Sequence, residues 1–121
     1  MAEETKNSGA VKIDTEVLGS IAGIAAKHVP GVYRIKRGFV AGIAHMFRKT
    51  ADAGIRVVVG EGEVSFELGI IVEYGVNIPE ATFQVQKAIR EEVERMSGLK
   101  VAKVDVLVRG VHLPGKQQTE E

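Results

Sequence analysis

The chain has 121 residues, 45% hydrophobic and 26% charged, with sixteen basic and sixteen acidic side chains and no Cys. That length carries one compact domain, and the apolar share is too high for a disordered chain. Lack of Cys excludes a disulfide framework, a thiolate nucleophile and any Cys-based zinc or iron–sulfur site, and a formal net charge of zero argues against a generic nucleic-acid binder, which carries a basic excess.

Residues 1–10 and 114–121 are polar and aperiodic, and are expected to be flexible tails around a single domain over 11–113. The N-terminus has no apolar stretch resembling an export signal, and no run approaches the roughly 20 apolar residues that span a bilayer. A first helix is expected from Asp14, whose side chain can cap free amides. Val17, Leu18, Ile21, Ala22, Ile24, Ala25 and His28 then share one face, and Pro30-Gly31 stops the helix. The opposite face, with Gly19, Ser20, Gly23, Ala26 and Lys27, is small and smooth. Each Gly costs a helix about 1 kcal/mol relative to Ala, so Gly19 and Gly23 ask for a reason, and close approach of another backbone supplies one.

Val32, Tyr33 and Ile35 follow among Arg34, Lys36 and Arg37, and Phe39 to Phe47 carries a short helical stripe of Val40, Ile43, Ala44 and Phe47. Ile55–Val59 reads as a strand, and Gly60 to Glu63 as a turn. In a second, longer strand Val64, Phe66, Leu68, Ile70, Val72 and Tyr74 alternate with mostly polar residues, so the pair forms a hairpin. Ile71 is the apolar exception on the polar face. Asn77 and Glu80 around Pro79 open a second long helix, lined by Ala81, Val85, Ala88, Ile89, Val93 and Met96 and closed by Gly98 with Leu99 folding back. The last strand, Val101 to His112, places Ala102, Val104, Val106 and Val108 on one side. A helix between the last two strands implies a crossover. The expected fold is α+β: a small two-layer sandwich of a three-stranded mixed sheet, two long helices on one face and a short extra helix.

No reaction centre is visible. The motifs HExxH, GxSxG, the P-loop and GxGxxG are absent, and His28, His45 and His112 share no ligand spacing, so no catalytic, metal or cofactor residues are expected. Glu92 falls within the apolar stripe of the second long helix, at its edge or as a buried acid. Phe83 projects from the polar side of that helix as a candidate anchor. Between Glu16 and Asp52 lie Lys27, Arg34, Lys36, Arg37, Arg48 and Lys49 with no acid, interleaved with Phe39, Met46 and Phe47. The basic run suits a solvated loop, a membrane surface, an anionic partner, or head-to-tail contact between a basic and an acidic side. Gly19, Gly23, Arg34, Lys36, Arg37, Phe39, Phe47 and Phe83 are the candidate partner-binding residues. A KH-type RNA-binding module is the alternative from the order of elements. It needs a GxxG loop between helices, whereas Gly60 and Gly62 sit in an acidic hairpin and Gly38 and Gly42 are three residues apart.

Ser20 to Ala26 with Val29-Pro30-Gly31-Val32, Val72 to Glu80, Met96 to Val101, and Val104 to Val111 resemble the alkaline-shock-protein family of envelope stress response proteins. The resemblance covers nearly all of the core. It implies a cytoplasmic bacterial protein without catalytic activity or cofactor, a structural or adaptor protein that forms homo-oligomers. It also implies possible paralogue partners or a membrane-anchored partner protein holding it at the inner face of the cell membrane. Membrane contact would then be indirect, with no nucleic acid bound. Some branches of the family are linked to lipid metabolism, which gives a regulator of that metabolism as a further alternative.

Overall fold

The computed structural model describes residues 9–36 and 54–115. Their elements are α1 (Thr15–Lys27), β1 (Val32–Ile35), β2 (Ile55–Val59), β3 (Glu63–Glu73), α2 (Ile78–Ser97) and β4 (Lys100–His112). The expected short helix over 39–47 and most of both expected tails lie outside the described residues.

β3 is the axis of the sheet. Its alternating residues Val64, Phe66, Leu68, Ile70 and Val72 are each at most 1% exposed, as the period-2 pattern requires. Tyr74 falls beyond the strand and is exposed. β4 pairs with β3 in parallel along its full length, from Glu63 beside Lys100 to Glu73 beside His112. The other border of β3 is shared end to end: β2 pairs antiparallel with Val64 to Leu68, and β1 pairs antiparallel with Ile70 to Val72. The sheet is mixed, as the crossover through α2 demands. It has four strands, however, and not the three expected. The additional strand is β1, whose four residues are too short for an alternation to declare itself.

β4 also departs from strict alternation. It has thirteen residues against eleven in β3, and the register skips Ala102 and Arg109. A bulge at Ala102 turns that methyl outward and brings Val101 onto the core face with Val104, Val106 and Val108. A second bulge at Arg109 brings Val111 onto the same face. Both long helices pack there: Leu18, Ala22, Ala25 and Ala26 of α1 and Val85, Ile89 and Val93 of α2 join the β3 side chains in one buried cluster.

The helix ends follow sequence with one exception. Asn77 accepts the Glu80 N–H at 2.9 Å, and Gly98 adopts a left-handed φ of 79° that closes α2. Asp14 occupies the N-cap of α1 but its side chain makes no capping hydrogen bond. On the second face of the sheet Arg56 pairs with Glu67 at 2.6 Å, and Ile71 is fully buried. Phe66 is among the largest fully buried side chains. Phe66→Ala is expected to destabilise the fold by about 3–5 kcal/mol through lost burial and a residual cavity, measured by denaturant unfolding at unchanged m-value.

Candidate interaction surface

The buried side of α1 straddles the two faces read from sequence, taking Leu18, Ala22 and Ala25 from the expected apolar face and Gly19 and Ala26 from the small one. A Cβ built on Gly23 would meet the Ile55 Cδ1 at 3.4 Å, ordinary contact distance. Gly23 thus packs toward β2 within the chain at a distance that leaves room for a Cβ. The larger residues that periodicity assigns to the core are left outside: Val17 is 48% and Ile24 58% exposed. Val17, Ile21, Ile24 and His28, spaced by four, three and four residues, form a second stripe along α1.

α2 contributes a matching row. Ala88, Glu92 and Met96 recur every four residues, and Met96 is 57% exposed at the end of the stripe expected to be core. Ile21, Ile24, Ala25, His28, Ala88, Glu91, Glu92 and Met96 line an open groove of about 490 Å³ between the helices. Its floor is aliphatic and its rim is charged.

The polar groups of the groove are held in place. Arg95 Nη2 donates to Glu92 Oε1 at 2.7 Å. That hydrogen bond, with the attraction of the guanidinium, holds the Glu92 carboxyl below its usual range despite some desolvation. Glu92 is thus an edge residue with its carboxylate in water, and not a buried acid. His28 is the C-cap of α1, exposed, with Nδ1 donating to the Ile24 carbonyl at 2.8 Å. At the far end of the sheet the rings of Tyr33 and His112 stack with centroids 3.8 Å apart, and His112 Nδ1 lies 3.1 Å from Glu73 Oε1.

The residues singled out from sequence are not brought together. Gly19 and Gly23 face inward. Arg34 lies in β1 opposite Ile71, and Lys36 just beyond it donates its backbone N–H to the Gly69 carbonyl at 2.9 Å. Phe83 is 55% exposed on α2 but does not line the groove. Arg37, Phe39 and Phe47, with His45, lie outside the described residues. Among the described residues no group of three or more His, Asp or Glu side chains could hold a metal ion, and no helix is long and apolar enough to cross a membrane. Sequence reasoning missed the groove because Val17, Ile24 and Met96 carry a core signal. The clue was present in an α1 apolar nearly all round, which one buried face cannot use up.

The family model that matches residues 3–113 is that of the alkaline-shock-protein 23 family, of cell envelope-related function. Among curated proteins the chain is 30% identical over 119 residues to Bacillus subtilis YqhY, covering 98% of this chain and 88% of that one. It is 32% identical over 114 residues to a stress response regulator gls24 homolog of Streptococcus pyogenes, covering 93% of this chain but 63% of that longer protein. A second Bacillus subtilis protein, YloU, is 30% identical over 108 residues, covering 87% of this chain and 90% of that one.

The Glu92–Arg95 pair gives a titration test. Glu92 is expected to titrate below the ordinary carboxylate value of 4.5 in the folded chain, and Arg95→Ala to return it upward. Because the folded value is depressed, the pair helps the fold above the unfolded Glu value and ceases to help as pH falls through the folded one. Carboxyl chemical shifts followed against pH read this directly.

Proposed function

The chain belongs to the alkaline-shock-protein 23 family, and from that premise we propose that it is a non-enzymatic structural or adaptor protein of the envelope stress response. It acts in the cytoplasm by associating with copies of itself and by binding a membrane-anchored partner protein, which brings it to the inner face of the membrane.

The observation that carries this reading is the second apolar stripe of α1. A helix that buries Leu18, Gly19, Ala22, Ala25 and Ala26 and still leaves Val17 and Ile24 about half exposed carries more aliphatic surface than its core uses. Exposed aliphatic residues gathered around a groove with a charged rim are the anatomy of a protein–protein contact. The Streptococcus pyogenes relative, a stress response regulator homolog, supports the same biological setting.

Two measurements test this. Sedimentation across a concentration series is expected to show association. Photo-crosslinking from position 24 or 96 in the native cell is expected to capture a membrane-anchored protein. Ile24→Lys and Met96→Glu, both at exposed sites, are expected to leave folding intact and weaken partner binding by about tenfold or more, the effect of losing one central anchor. A chain that is monomeric at every concentration, with membrane recovery unaffected by both substitutions, overturns the reading.

A further inference from the structure

The two borders of the sheet are treated differently. At β4 the register skips Ala102 and Arg109, and such bulges spoil an edge as a template for pairing. α2 adds cover: Gln86 Nε2 donates to the Val104 carbonyl at 3.0 Å, and the Val101 N–H donates to the Glu94 carboxylate at 2.9 Å. Among the described residues β2 has neither device. Its five residues pair with β3 in unbroken register, and four of them are β-branched, the type that favours extended pairing.

The hairpin determines which β2 groups face outward. The Gly60 N–H donates to the Glu63 carbonyl at 2.8 Å. Hydrogen-bonded pairs alternate along an antiparallel ladder, so those within the hairpin are Arg56 with Glu67 and Val58 with Ser65. The amides and carbonyls of Ile55, Val57 and Val59 consequently point away from β3, and no hydrogen bond among the described residues reaches them. Val58 and Val59 are 51% and 46% exposed along this border.

We propose that β2 is a self-association edge, pairing antiparallel with β2 of a second copy so that the two sheets run together. This rests on the self-association in the proposed function and assigns it a surface. Three features select a second copy as the occupant. Outward donors and acceptors on alternate residues are self-complementary about a two-fold axis, each copy offering what the other requires. The hairpin is acidic at one end, with Glu61 in the turn beyond β2 and Glu63 opening β3, while Arg56 is paired within the chain to Glu67. Antiparallel alignment sets the two acidic ends apart, whereas parallel alignment sets like beside like. Zero net charge leaves no overall repulsion between copies.

Amide hydrogen exchange of the full chain, followed over the sedimentation series, tests the assignment. The amides of Ile55, Val57 and Val59 are expected to slow by roughly tenfold or more as association sets in. Val59→Pro removes one outward N–H and no bond within the chain, and is expected to return the protein to the smaller species with its circular dichroism unchanged. Val58→Lys, which charges the border without touching the backbone, is expected to do the same. Association that persists in both variants, with these amides still exchanging freely, overturns the edge and leaves the self-association reading standing. A wild-type chain that never associates overturns both.

Discussion

Everything in this fold is arranged around one strand. β3 presents Val64, Phe66, Leu68, Ile70 and Val72 to the helices, and each is essentially removed from water. Burial of such side chains is worth about 1.5–3 kcal/mol apiece. The same strand spends the backbone groups of both its borders, on β4 along one side and on β2 and β1 in succession along the other. A one-residue slip would turn all five side chains to the wrong face, so the register of every neighbour is set by β3. The two bulges of β4 follow from this: a parallel partner thirteen residues long can keep its valines on the core face only by dropping Ala102 and Arg109 from the register.

With the sheet fixed, α1 has to accommodate it. The helix enters the core through Leu18, Gly19, Ala22, Ala25 and Ala26, and Gly23 stands at ordinary contact distance from Ile55. Two glycines in a helix interior cost about 1 kcal/mol each relative to Ala. The consequence for function is steric. A helix whose buried side is centred on Ala22 turns Val17 and Ile24 outward, so both are exposed as a result of how the core closes.

Much of the architecture was legible because single physical rules dominated. The alternation over β3, the Asn77 cap with Pro79 behind it and the left-handed Gly98 each have one mechanism, and each stands where the pattern put it. The failures share a cause as well. Periodicity reports that a residue is apolar and on a given side, but not which part of α1, apolar nearly all round, meets the sheet. It placed Ile24 and Met96 inside because those residues look like core in isolation. Alternation likewise assumes an unbroken register, so it set Ala102 on the side of Val104, Val106 and Val108 and Val101 on the other. β1 was missed because four residues give a period-2 signal too little length. The candidate surface was least legible of all, since a groove belongs to two helices whose relative placement no local pattern encodes.

The edge of β2 and the groove between the helices are different kinds of surface, and the difference bears on assembly. Pairing of an edge with itself about a two-fold axis is closed: it consumes the outward groups of both strands and stops at two copies. It leaves the helix face untouched, so a dimer built this way presents two identical grooves. For a partner confined to a membrane, the second groove then binds at an effective concentration set by geometry and not by dilution, and two modest contacts give a firm attachment without further interface area. A chain without long-range charge repulsion, with one sheet border defended and the other left open among the described residues, is suited to that division of labour between holding itself and holding something else.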